Sequence, residues 1–236
     1  MDSITHYIAS VLSDQGWNLL ALSWFVVAVR GYQAYAIRAS RRKDSLAGVL
    51  HAYRQRWMTR MIGRDMRMAD IGAVANLERY VTLFASSSLL VLAGLVTLVG
   101  YTDDVVHIGK GIPFLPPQSA LEWQFKLFIL TLLFVYAFFK FTWSIRQFGF
   151  VSVLLGASVE YHQGNKPEEE RRRFAMHAAK VLDQSGHEYN KGLRTYYFAL
   201  AYLSWFLHPV ILIASSAVVV AVLYRREYRS RVLREL

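Results

Sequence analysis

The chain contains no cysteine, which excludes a disulfide framework, a thiolate metal site, a cysteine nucleophile and thiol-linked lipidation. Residues 1–16 carry Asp2, His6 and Asp14 but no Lys or Arg. That is the wrong charge for the basic start of a cleaved secretory signal, so the N-terminus is expected to be retained. No glycine-rich phosphate loop and no serine nucleophile elbow occurs. His187 and Glu188 are adjacent, whereas a metal pair on one helix face needs three- or four-residue spacing, so no zinc or di-iron site is read here. A haem held between helices needs two histidines at matching depth on different spans, and only His208 lies well inside a predicted span. Its expected role is a bond to a neighbouring helix rather than axial ligation. No metal and no cofactor is predicted.

Charge is also scarce where it would be costly in lipid. From Tyr80 to Thr102, 23 residues pass with no ionisable group other than tyrosine, enough to cross a hydrocarbon core roughly 30 Å thick at about 1.5 Å per residue. Apolar residues make up 54% of the chain and fall in blocks long enough to span rather than in amphipathic periodicity. The reading is an all-α polytopic membrane protein with four transmembrane helices, at about 17–37, 80–100, 123–143 and 198–223. Two amphipathic cytoplasmic helical segments are expected at about 44–79 and 167–194.

The third block has only 13 uninterrupted apolar residues, Leu127 to Phe139. Lys126 and Lys140 can snorkel outward from its two ends, with Trp123 and Trp143 marking the interfaces. The following run, Gln147 to Val159, is too short to cross alone and reads as a buried or interfacial helix. The last block, Thr195 to Tyr224, is interrupted by Pro209.

What is abundant is positive charge between the blocks. The two inner connections, 38–79 and 166–194, hold ten and seven Lys or Arg, against Lys110 and Lys126 on the other side. That asymmetry sets the N-terminus outside and explains the net charge of +10 without nucleic acid, which is not an expected partner. Lys110 shares its loop with Pro113, Pro116 and Pro117. Four full spans leave the tail of Arg225, Arg226, Arg229, Arg231 and Arg234 outside, against the same rule. The alternative is a reversal at Pro209 that returns the tail inside. Four full spans are preferred, because an unpaired turn in lipid is costly.

In the first inner segment Leu46, Leu50, Tyr53, Trp57, Met61, Met68 and Ile71 recur at helical steps and predict one long amphipathic helix. Its apolar face is expected to pack on the second inner segment or lie in the headgroups, with Arg54, Arg56, Arg60, Arg64 and Arg67 solvated or near anionic lipid; the alternative makes these arginines a site for an acidic ligand or partner. In the second, Gly164-Asn165-Lys166 ends one element. Pro167 with Glu168-Glu169-Glu170 starts another, with Phe174, Ala178, Val181 and Leu182 on one face, and Gly186 is expected to loosen or end it.

Ionisable side chains at membrane depth are the candidate functional groups. Lys140 and Arg146 either snorkel or line an inward cavity, paired there with Asp70, Glu78 or Glu160. Arg30 either snorkels toward Arg38 or faces protein. Asp70, Asn76, Glu78 and Arg79 lead into the second span and complete the set.

Arg64-Asp65-x-Arg67-x-x-Asp70, Ala75-Asn76-Leu77-x-Arg79, Phe84-Ala85-Ser86 and Ala93-Gly94 resemble the hallmark of the domain-of-unknown-function family numbered 599. Lys140-Phe141-Thr142-Trp143-Ser144-x-Arg146-Gln147-Phe148, Tyr196-Tyr197-Phe198 and Tyr224-Arg225-Arg226-Glu227-Tyr228-Arg229-Ser230 resemble its later segments. The resemblance implies a multi-span protein of bacterial membranes, with plant relatives, and carries over no activity, cofactor or catalytic residue. The expected function is a non-enzymatic inner-membrane component that assembles with itself or a membrane protein partner, with a channel or transporter as a narrower form. The alternative is a redox subunit (haem or quinone) or a lipid-processing enzyme.

Overall fold

The computed structural model describes residues 2–39, 45–109, 111, 118–163 and 167–235, with side chains described at 16–38, 45–108, 111, 118–158, 167–230 and 233–235. Lys110, the three prolines beside it and Gly164-Asn165-Lys166 lie outside the described residues, as does the side chain of Glu160. The described residues form helices and no strand. These are α1 (Asp2–Ala39), α2 (Leu46–Ile62), α3 (Met68–Gly100), α4 (Thr102–Gly109), α5 (Ala120–Gln163), α6 (Glu168–Leu203), α7 (Pro209–Tyr228) and α8 (Arg231–Glu235), with a 3-10 turn at Ser204–Phe206 between α6 and α7.

Four helical stretches are long and apolar enough to cross a membrane: Gly16–Arg38, Met68–Gly100, Ala120–Ser158 and Pro209–Glu235. The chain is a multi-pass membrane protein. Its longest helix, α5, has 44 residues and at about 1.5 Å per residue extends to roughly twice the hydrocarbon thickness. The run from Gln147 to Val159 is therefore the continuation of a span past the bilayer. There Phe148, Val151 and Leu155 enter a core with Met58, Met61 and Ile62 of α2 and Ala178 and Leu182 of α6. A second core lies within the spans, where Phe25 and Tyr32 of α1 meet Leu127 and Leu130 of α5, Phe198 and Tyr202 of α6, and Leu212 of α7.

Three expected boundaries are corrected. The single amphipathic helix over 44–79 is broken after Ile62, where Gly63 caps α2. The chain reverses, α3 starts at Met68, and Met68 and Ile71 are exposed. Gly186 does not end α6, which runs on to Leu203. A Cβ at Gly186 would lie 2.8 Å from Arg54 Nη2, so the missing side chain leaves room for the Arg54 guanidinium of α2.

The third correction concerns the last block, which is not one span over 198–223. Its chain reverses at 204–208: Ser215 Oγ of α7 donates to Ala201 O of α6, and Arg226 Nη1 donates to Tyr197 Oη, an antiparallel pairing. His208 is extended (φ −162°, ψ 142°), and Pro209 occupies the first turn of α7. A residue before proline is pushed out of the helical region, and proline at a helix start misses no donor. The expected penalty of a turn in lipid is met by α5 and the segment preceding it, because Lys126 Nζ donates to Trp205 O (3.1 Å) and Gln118 Nε2 to Phe206 O (2.8 Å).

This reversal sorts the two ends of the bundle. Asn18, Lys126 and Trp205 meet at one end. At the other, Ala47 N donates to Glu227 Oε1 (3.1 Å), joining the start of α2 to the end of α7. The basic tail therefore emerges beside α2, at the end that collects the basic connections.

Candidate functional site at the basic end

α6 carries two buried carboxylates, five positions apart, that hold it to its neighbours. Glu188, on the α5-facing side of α6, accepts from Lys140 Nζ at 2.8 Å and from Lys191 Nζ at 2.6 Å. Glu188 Oε2 and Oε1 are thus each claimed by one ammonium group. Burial opposes ionisation of Glu188, but hydrogen bonds from Lys140 and Lys191 outweigh it and lower the carboxyl pKa. Lys140 is partnered with Glu188, a carboxylate that neither the snorkelling reading nor the cavity alternative with Asp70, Glu78 or Glu160 had named for it. Its ammonium also lies 5.4 Å from the Tyr136 ring centroid.

One and a half turns earlier, Asp183 gathers α2. Arg54 Nη1 donates to its Oδ1 at 2.5 Å, while His51 Nδ1 and His187 Nε2 lie 3.0 and 3.3 Å from Oδ2. Burial raises the tendency of Asp183 to stay protonated. The His187 hydrogen bond and the Arg54 charge reverse this and hold the carboxyl well below the ordinary carboxylate range. Between the two carboxylates Ser144 Oγ of α5 donates to Ser185 O at 2.8 Å. The elements approach closely here. A Cβ on Gly192 would fall 2.4 Å from Phe141 Cε1.

The third cluster closes the reversal between α2 and α3. Asp70, 3% exposed, accepts from Trp57 Nε1 and Arg64 Nη1, both at 2.6 Å and both on Oδ1. Arg67 is buried beside it and donates through Nη2 to Ile62 O at 3.2 Å. Asp70 Oδ2 accepts no hydrogen bond among the described residues.

The remaining candidates are dispersed. Arg146 is exposed and sits 5.8 Å from the ring centroids of Trp143 and Phe150, a cation–π arrangement. Lys140 faces Glu188 and Arg146 faces outward, so the two do not line one cavity. Arg30, Asn76 and Arg79 are exposed, and Glu78 is partly buried. His208 is not deep in a span. It is exposed at the reversal, where its Nδ1 accepts from Val210 N at 3.2 Å and caps α7.

Sequence reasoning missed Glu188, Asp183 and Lys191, and weighed Arg54 without its partner Asp183. Two spacings carried the signal, Asp183 with His187 at four residues and Glu188 with Lys191 at three. Both are same-face helical steps. Among the described residues no group of three or more His, Cys, Asp or Glu has metal-holding geometry.

A family model described as a protein of unknown function, DUF599, matches residues 20–232. No curated protein matches the chain, and no solved structure does.

Proposed function

The chain belongs to the DUF599 family, and on that premise we propose that it is a non-enzymatic component of the bacterial inner membrane that works by assembly with itself or with another membrane protein. The observation that carries this reading is the helix-to-helix use of buried charge. Lys140 joins α5 to α6 through Glu188, and Arg54 joins α2 to α6 through Asp183. A transport path needs charges that face a passage, whereas these face each other. The pairs fasten the projecting ends of α5 and α6 to α2 and make the basic end a rigid platform. In this orientation the N-terminus is outside and the platform, with the arginine tail, is cytoplasmic beside anionic headgroups. Native mass spectrometry of the protein released from its own membrane tests the reading. A defined oligomer or stoichiometric complex is expected, and a monomer without a protein partner would overturn it.

One observation favours the lipid-processing alternative. Asp70 is buried beside Arg64 and Arg67 with Oδ2 accepting no hydrogen bond among the described residues, and a buried carboxylate with spare acceptor capacity is a candidate general base. Loss of lipid turnover in Asp70→Asn, with a cooperative melt still above the assay temperature, would establish that reading. Membrane lipid composition unchanged by the substitution would remove it.

A further inference from the structure

A groove of about 510 Å³ lies between α1 and α7, a volume inside the roughly 300–1,000 Å³ typical of small-molecule sites. Its lining side chains are apolar or aromatic, with Gly31 of α1 and Ala217 and Ala221 of α7 leaving room between the helices. Trp24 stands toward one end, its indole N–H already donated to Ser216 Oγ at 3.1 Å. Tyr35 and Tyr224 close the other, their ring centroids 6.2 Å apart. Gly31, Ala217 and Ala221 are exposed, so the groove opens away from the bundle. At that depth in a membrane protein the medium is hydrocarbon.

Length and charge identify the occupant. From Trp24 to Tyr35 the groove follows α1 for roughly 16 Å at about 1.5 Å per residue, half of a hydrocarbon core of about 30 Å. A second transmembrane helix would need the full thickness, whereas one acyl chain occupies one leaflet. The tyrosine end is the basic end, and Arg38, which is exposed, follows Tyr35 by three residues on the same helical face. We propose that the α1/α7 groove binds one acyl chain of an anionic phospholipid from the leaflet at the basic end, with its headgroup at Arg38. This site is independent of the assembly reading, because it needs only α1 and α7 of a single chain.

The test uses the full-length, delipidated protein in detergent, titrated with phosphatidylglycerol or with phosphatidylcholine of the same chains, and counts adducts by native mass spectrometry. One phosphatidylglycerol is expected to bind before any phosphatidylcholine. Gly31→Leu extends into open space, since a Cβ there meets nothing within 4 Å among the described residues. Displacing a few methylenes from the groove should weaken binding of both lipids about tenfold. Arg38→Gln should lower the preference for phosphatidylglycerol about fivefold, one cation near a membrane surface, and leave phosphatidylcholine unchanged. Melting curves matching the parent chain establish that both variants are folded. Equal binding by the parent and Gly31→Leu would overturn the proposal, as would a dimer lost in Gly31→Leu in place of a lipid adduct. Oligomer mass is read separately from the same spectra.

Discussion

Lys140 of α5 and Glu188 of α6 form an ion pair with Nζ 2.8 Å from Oε2, the two side chains 26% and 9% exposed. The contact fixes the register of α5, 44 residues long, against α6, 36 residues long. It also assigns a single counter-charge to the lysine that borders the third apolar block.

Removing Glu188 should therefore cost more than removing Lys140. Glu188→Gln leaves Lys140 and Lys191 facing each other, and a loss of about 2–3 kcal/mol is expected, below the roughly 3–5 kcal/mol of fully buried pairs because both lysines are partly exposed. Lys140→Met leaves Glu188 still paired with Lys191 and should cost about 1 kcal/mol. Thermal unfolding in detergent separates the two. The double variant should recover part of the larger loss, as expected for groups in direct contact.

Packing between α5 and α6 at Gly192 gives a second outcome. Its Cβ would lie 2.4 Å from the buried Phe141 ring, so Gly192→Ala should destabilise by about 1–3 kcal/mol through overpacking. Phe141→Leu introduced with it should recover part of the loss. Gly94→Ala, at a helical glycine where a Cβ meets nothing within 4 Å among the described residues, should be neutral or stabilising by up to about 1 kcal/mol. Melting temperatures of the three variants check the contrast.

The Asp183 cluster predicts an acid-side stability slope. Its folded carboxyl pKa is lowered, so the folded state binds a proton less readily than the unfolded chain. The resulting stabilisation is complete above the ordinary Asp pKa of about 4 and is lost as pH falls through the lowered folded value. Asp183→Asn should flatten the slope of melting temperature against pH below about pH 5, where unfolded Asp begins to take up protons. It should also raise hydrogen exchange across α2, because Arg54 and His51 lose their shared anchor. An unchanged slope with unchanged α2 exchange would count against this role.

Asp70 anchors the reversal between α2 and α3. Asp70→Ala leaves the Trp57 indole N–H and the Arg64 guanidinium without their acceptor, and a loss of about 1–3 kcal/mol is expected for a donor left unsatisfied. Asp70→Asn keeps the indole bond and should lose less. Thermal melts of both variants, compared with the parent chain, test the order.

The spans were legible because apolar run length is read along one chain. Tyr80 to Thr102 announces a crossing whatever lies beside it. Pairing was not legible, because it depends on which helix faces which. Lys140 had Asp70, Glu78 and Glu160 as nearby carboxylates in the expected topology, and its partner is Glu188, on a segment read as an amphipathic inner helix whose apolar face alone was assigned a packing role. His208 was read as deep because the block around it is continuously apolar. Proline geometry overrode hydropathy and placed it at a reversal. The objection to that reversal was its unpaired carbonyls, and Lys126 and Gln118 supply the donors, a contact across some eighty residues of chain that no local pattern encodes.

The reversal at Pro209, which brings the arginine tail back to the end that holds α2, is the point on which the proposed orientation turns. The cysteine-free chain suits single-cysteine labelling with a membrane-impermeant maleimide in intact and permeabilised cells. Gln55→Cys and Arg229→Cys should both react only after permeabilisation, and Gly111→Cys should react in intact cells. Reaction of Arg229→Cys in intact cells together with Gly111→Cys would place the tail at the opposite face and contradict the account.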